Sequence, residues 1–119
     1  MSFKLNNGQN RFTEIYVCGE REAGGAFATY TIHEKADDDS NQLGILVFQS
    51  GPVKEAGVNG IFLEDLIDIC VHRLTCFQSG PFACKENENA IQFLQCARGQ
   101  LANRTADRQR RGVEGTMQA

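Results

Sequence analysis

Leu63-Glu-Asp-Leu66-Ile67-Asp-Ile-Cys70-Val-His-Arg-Leu74-Thr-Cys-Phe77 is the stretch that decides the fold. Its apolar residues Leu63, Leu66, Ile67, Cys70, Leu74 and Phe77 recur mostly at intervals of three and four, the spacing of one helical face. Glu64, Asp65 and Asp68 crowd its beginning, where carboxylates favour the positive end of the helix dipole. Gly80-Pro81 ends the helix, because proline cannot continue it. A second helical pattern runs from about Glu86 to Arg111, and Gly112 stops it. So short a connection favours an antiparallel helical hairpin. Gly99 inside the second helix costs about 1 kcal/mol relative to alanine, which predicts a close approach by the first helix or by a partner subunit there.

Working backwards from this hairpin, the period changes to that of strands. Arg11-Phe-Thr-Glu-Ile-Tyr-Val-Cys18 and Ala26-Phe-Ala-Thr-Tyr-Thr-Ile-His33 carry β-branched and aromatic side chains around Gly24-Gly25, which predicts a β-hairpin. Ala36 to Gln42 reads as a solvated loop. Leu43-Gly-Ile-Leu-Val-Phe-Gln49 is a third strand, and its continuous apolar run predicts a central place or an interface. Residues 1–10 read as a polar, loosely held start. Three strands alone leave too much edge in water, so a helix or another copy of the protein is expected to cover them. The expected class is α+β, with a β-rich, oligomerising part over residues 1–61 and a helical hairpin over 62–119 carrying a ligand pocket.

Working forwards, the end of the second helix changes character. Ala97, Leu101, Arg104, Arg108 and Arg111 fall within about 80° of one another at 3.6 residues per turn. The apolar upper part, Ala90, Leu94, Ala97 and Leu101, faces a core. Its continuation in three guanidinium groups reads either as one wall of an anion pocket or as a solvated helix end answering the dipole. Residues 98–111 hold five arginines against the single Asp107, although the whole chain has net charge −3. An acidic protein with one concentrated basic patch does not suit general nucleic-acid binding, whose footprint is a broad basic face. It suits a small, multiply charged anion, above all a phosphate, which the guanidinium fork grips with two parallel hydrogen bonds.

The 119 residues allow one domain with a modest, subdivided core. An apolar fraction of 41% argues against wholesale disorder. Nothing approaches the ~18 consecutive apolar residues of a membrane span. The start Met-Ser-Phe-Lys-Leu-Asn-Asn-Gly lacks the apolar run of a signal peptide, which predicts a cytoplasmic protein. Five cysteines, Cys18, Cys70, Cys76, Cys84 and Cys96, are an odd number and form no Cys-x-x-Cys pair. They read as small buried hydrophobes. His72 and Cys76 are spaced to share a metal ion, but two ligands do not define a site, and neither metal nor cofactor is expected. The pentapeptide Phe-Gln-Ser-Gly-Pro occurs at 48–52 and again at 77–81, once after a strand and once after a helix. It reads as similar punctuation in two contexts.

Three blocks then carry a resemblance. Gly51-Pro-Val-Lys-Glu-Ala-Gly-Val-Asn-Gly-Ile61, Phe77-Gln-Ser-Gly-Pro-Phe-Ala-Cys84, and Arg104-Thr-Ala-Asp-Arg108 with Arg111-Gly-Val-Glu-Gly-Thr116 are similar to phage proteins of the Thoeris anti-defence sponge family. The hairpin portion also resembles the phage anti-CBASS nucleotide sponge. The likeness runs from about Leu43 to Thr116, and the first forty residues match only as a strand-rich preface. It implies a non-enzymatic protein of the infected bacterium's cytoplasm that binds immune signalling nucleotides and does not cleave them. Cyclic ADP-ribose isomers are the implied ligands, with cyclic di- and trinucleotides of CBASS as further ones.

By motif, the implied ligand-binding residues are Phe77, Asn87, Arg104 and Arg108. Phe77 would stack on adenine or else pack as a core aromatic. Asn87 would meet a base or ribose edge or else cap its helix. Arg104 and Arg108 would clamp a pyrophosphate. A single hairpin separates the two pairs by about 25 Å at 1.5 Å rise per residue. One chain therefore cannot close this pocket, whereas an antiparallel dimer of hairpins can. The resemblance implies a hexamer built from such dimers. Two rivals are a nucleotide-hydrolysing enzyme and a nucleic-acid- or protein-binding module. The first needs a base, nucleophile or metal beside the phosphates, and His33 and His72 are both far from the arginines in sequence. The second is disfavoured by the acidic remainder.

Overall fold

A computed structural model describes residues 1–5, 10–37 and 41–119. Four strands come first: β1 (Ser2–Lys4), β2 (Thr13–Cys18), β3 (Thr29–Glu34) and β4 (Gln42–Val47). One helical turn, α1 (Val53–Ala56), precedes the long helices α2 (Leu63–Gln78) and α3 (Lys85–Arg110). The α+β class and the order of sheet before hairpin are as the sequence predicts. The chain divides into two compact units, one of residues 1–61 with 115–117, the other of residues 62–114 with 118–119. The middle of the loop expected over 36–42 lies outside the described residues.

All neighbours in the sheet are antiparallel, in the order β1-β2-β3-β4. The β2–β3 hairpin forms where expected, and Gly24 and Gly25 turn the chain at φ 86° and 90°, a region glycine enters without a Cβ penalty. The registers Phe3↔Val17, Val17↔Tyr30 and Tyr30↔Leu46 set an aromatic and aliphatic row across one face. Val17 and Ala28 are its buried members. The opposite face carries Lys4, Tyr16, Thr31 and Ile45 in register.

Two expectations fail in this unit. The chain start is not loose throughout: Ser2–Lys4 pairs with Tyr16–Cys18, and Phe3 packs edge-on against Phe27 with centroids 5.4 Å apart. Three residues are too few to show an alternation in the sequence. The apolar strand Gln42–Val47 does not take the central of the two places expected for it: it stands at the sheet edge with Leu43, Ile45 and Val47 exposed, the setting that the interface alternative needs. An apolar run reads the same whether its faces are covered by its own chain or left uncovered.

The two Phe-Gln-Ser-Gly-Pro copies share one device. Gln49 donates from Nε2 to the Gly57 carbonyl (2.7 Å) and accepts at Oε1 from the Asn59 amide (2.9 Å). Gln78 donates from Nε2 to the Cys84 carbonyl (3.0 Å) and accepts at Oε1 from the Cys84 amide (2.9 Å). In both copies the side-chain amide imitates a peptide unit and ties the far side of the following loop to the element just ended. Each loop thereby satisfies backbone groups that the strand or helix no longer pairs. The first loop is closed further at Gly60, where a Cβ would lie 2.4 Å from the Phe48 carbonyl carbon, so only glycine fits.

In the hairpin unit, Asp65 accepts the Phe62 amide (2.9 Å) at the start of α2, and Arg98 of α3 pairs with Asp68 of α2 at 3.2 Å. Both members of that ion pair lie well away from the connecting loop, which fixes the helices as antiparallel. Along α3, Asn87, Ile91, Leu94, Arg98, Leu101, Thr105 and Arg108 are half-buried. Alternating steps of four and three make a 3.5-residue seam. No residue of either helix is fully buried. Ile69 remains 62% exposed and Phe93 75%, because one neighbouring helix covers only one stripe.

Two further expectations are corrected here. A Cβ at Gly99 would meet nothing within 4 Å, so the first helix makes no close approach there. Cys70, Cys76, Cys84 and Cys96 are exposed and Cys18 half-buried, so the cysteines are not core residues of the single chain. Among the described residues no helix is long and apolar enough to cross a membrane.

Candidate functional site

The hairpin sorts its chemistry to its two ends. At the loop end, Phe77 closes α2 and Asn87 opens α3, both half-buried. The Arg73 guanidinium lies over the Phe77 ring at 5.1 Å from its centroid. Phe77 is half-buried, as are Leu66, Ile67 and Leu74 of the same stripe, and it carries a cation on its ring; its spacing of four from Arg73 is where helical neighbours meet. Asn87 is not the cap of α3, which is Cys84. Its Nδ2 donates to the Phe82 carbonyl at 3.2 Å, and its amide oxygen accepts no hydrogen bond among the described residues. Gln78 fixes the loop between them, so the ring and the amide are held on a closed backbone.

At the other end, Gly112 adopts φ 73° and α3 stops in a Schellman motif. The Gly112 amide donates to the Gln109 carbonyl and the Val113 amide to the Arg108 carbonyl, both at 3.0 Å, and Val113 is buried. The three arginines of the sequence stripe meet different fates. Arg104 is exposed and has no hydrogen bond or ion pair among the described residues. Arg108 is half-buried and donates to the Gln118 carbonyl (2.7 Å) and the Val113 carbonyl (2.9 Å). Arg111 donates to Asp107 (2.9 Å) and to the Ala119 carbonyl (2.7 Å). The stripe is therefore not a uniform row of open guanidinium groups. Asp107 also accepts from Arg110 at 2.7 Å. These hydrogen bonds, Arg110 first, hold its carboxyl below the ordinary carboxylate range.

Phe77 and Asn87 both stand at the loop end and Arg104 and Arg108 lie one turn apart at the other end, so the two pairs stay apart. Asn87 and Arg104 are separated along α3 by about 25 Å at 1.5 Å per residue. Sequence reasoning missed the tail: nothing in Val113–Ala119 signals that its carbonyls take the arginines' donors, since carbonyls are present at every residue. It also missed Arg73, although the spacing from Phe77 carries the signal. His72 Nε2 and Cys76 Sγ approach to 3.9 Å. No group of three or more metal-ligating side chains assembles among the described residues.

A family model described as "Acb2/Tad1, hairpin domain" matches residues 44–106, just over half of the chain. The chain belongs to the Acb2/Tad1 hairpin-domain family. The matched region takes in β4, the clasped loop, α2 and α3 through Arg104, so the resemblance seen in the sequence blocks is borne out. The chain is also 48% identical over 79 residues to "Thoeris anti-defense 1" of Bacillus phage SBSphiJ7. That stretch is 66% of this chain and 56% of that protein, so the match spans little more than half of this relative.

Proposed function

We propose that this member of the family is a phage anti-defence sponge that binds small signalling nucleotides, holds them intact, and so starves an immune effector of its activator. The observation that carries the reading is Arg104: a guanidinium with no partner among the described residues, on the outer helix end of a hairpin whose loop end presents Phe77 on α2 and Asn87 on α3. An antiparallel pair of hairpins brings Phe77 and Asn87 of one copy beside Arg104 and Arg108 of the other. Phe77 stacks on adenine, Asn87 reads a base or ribose edge, and the arginines take the phosphates. The relative named for Thoeris anti-defence makes a cyclic ADP-ribose isomer the first ligand to test. The hairpin's resemblance to the phage anti-CBASS nucleotide sponge makes cyclic oligonucleotides, among them CBASS di- and trinucleotides, the next.

Sequestration fits the chemistry better than hydrolysis. The carboxylate nearest the arginines in sequence is Asp107, and two guanidinium groups already engage it and hold its pKa low. A base so stabilised is a weak proton acceptor. The incomplete burial of both helices favours assembly of several copies, and a hexamer of dimeric units in the host cytoplasm is the form we assign. In this reading residues 1–61 help to join copies, while 62–119 carry the pocket.

The test is to load the full chain with a cyclic ADP-ribose isomer, remove unbound ligand, denature by heat and analyse what is released. Intact nucleotide in stoichiometric amount is expected, because ground-state binding gives no rate enhancement. Linear product beyond one equivalent would establish an enzyme instead, and no retained nucleotide would end the sponge reading.

A further inference from the structure

The loop end of the hairpin holds a cation that the proposed pocket leaves unused. Arg73 stands with its guanidinium 5.1 Å from the Phe77 ring centroid. Elsewhere in this unit, Arg98 is held by Asp68, Arg110 and Arg111 by Asp107, and Arg108 by tail carbonyls. Arg73 and Arg104 alone make no hydrogen bond or ion pair among the described residues of the hairpin unit. For Arg73 the sequence gives the reason. The neighbours three and four positions away on α2 are Ile69, Cys70, Cys76 and Phe77, so no carboxylate stands where a helix brings side chains together. The one local partner offered to this guanidinium is an aromatic ring.

Arg73 is exposed, whereas Phe77 is half-buried on the stripe of Leu66, Ile67 and Leu74. The guanidinium therefore covers the ring from its solvent side, the side from which a base arrives. A base that expelled the cation would send it into water with no partner waiting. A base that slips beneath it keeps the cation on a π face, because the guanidinium is planar, weakly hydrated and stacks on aromatic systems. Ring, base and guanidinium in contact need about 7 Å from ring to cation, two layers of about 3.5 Å. The observed 5.1 Å opens to that by about 2 Å, a movement within the rotamer freedom of an arginine that has no hydrogen bond to break. We infer that Arg73 is a further nucleotide-binding residue, closing on the outer face of the base while Phe77 supports the inner one. This rests on the sponge reading and adds how the site sorts its ligands: Arg73 rewards an anion that carries a flat base over one that offers phosphates alone.

The experiment titrates the full chain, as wild type, Arg73→Ala, Arg73→Lys and Arg104→Ala, with a cyclic ADP-ribose isomer, and then uses inorganic pyrophosphate as its competitor. Arg73→Ala should weaken the isomer about five- to thirtyfold, the worth of a cation on a π face drawn out of water, and leave the pyrophosphate inhibition constant unchanged. Arg73→Lys keeps the charge without the flat fork and should recover little of the loss. Arg104→Ala should weaken isomer and pyrophosphate alike. Arg73→Met, which keeps the length of the stem, serves with the same expectation if Arg73→Ala does not fold. Wild-type affinity in folded Arg73→Ala or in Arg73→Lys, or an equal loss for isomer and pyrophosphate, overturns the inference and leaves the sponge reading standing. Tighter binding by Arg73→Ala also overturns it, making the cation a competitor for the ring. A wild-type chain that binds neither probe rejects the sponge reading and this inference with it.

Discussion

The two ends of the hairpin are built on opposite principles. At the loop end, Gln78 clasps the backbone and a ring and an amide sit on it. At the other end the backbone is closed by glycine at φ 73°, and long cationic side chains either reach outward or hold the tail. In the proposed function one end meets the flat, neutral part of a nucleotide and the other its phosphates. The difference teaches why that proposal calls for a second copy: the two chemistries stand at opposite ends of one hairpin.

The largest effect expected is at Arg104. Arg104→Ala should weaken binding of a cyclic ADP-ribose isomer by ten- to hundredfold, from about 1.5–3 kcal/mol for a charge-assisted contact, with melting temperature and native mass unchanged. Calorimetry that finds normal affinity would return the arginine stripe to a solvated helix end. Arg108→Ala should lose comparable affinity and in addition loosen the tail, read as faster exchange of the amides after Gly112. Equal behaviour of the two variants would erase the distinction drawn between an unengaged and an engaged arginine.

The loop end should respond next. Phe77→Ala removes a stacking platform worth roughly 1–3 kcal/mol per base, while Phe77→Tyr should retain most of the affinity. Gln78→Ala leaves the Cys84 backbone unclasped, at about 1 kcal/mol for a net hydrogen bond, and should lower the melting temperature by a few degrees. A Gln78→Ala variant as stable as wild type would show the clasp to be incidental.

The smallest effect concerns pH. The Asp107 carboxyl has a folded pKa below its ordinary value. Its contribution is present above the ordinary carboxylate pKa and is lost as pH falls through the lowered one. Helix-end amides should therefore keep their exchange protection through mildly acidic solution and lose it only below the usual carboxylate range. Asp107→Asn should abolish that pH step. The pair is exposed, so the step is small and shrinks further at high salt.

Much of the hairpin was legible in the sequence because helical spacing, glycine stops and charge placement are local properties. Helices expected to end at Gly80-Pro81 and Gly112 do so. The sheet was less legible. Ser2–Lys4 is too short to show a period, and Leu43–Gln49 reads as a central or an interface strand, which an apolar run by itself does not separate. The same limit applies to the cysteines: their chemistry permits burial, but four of them face outward on this chain. Phe77, Asn87, Arg104 and Arg108 could be named from the motifs and Arg73 from its spacing of four before Phe77, whereas the tail carbonyls on Arg108 could not.

The sequence by itself determined where helices begin and end, which residues carry positive charge, and that a single hairpin keeps two complementary chemistries about 25 Å apart at 1.5 Å per residue. These follow from bond geometry and side-chain type within one segment. Only the tertiary structure decided that Arg104 is unengaged among the described residues while Arg108 and Arg111 hold the tail, that the two Phe-Gln-Ser-Gly-Pro copies are one clasp used twice, and that the most apolar strand lies at the edge. Each of these depends on which backbone groups are left over once every local element has formed, and that remainder is settled by residues distant in the chain.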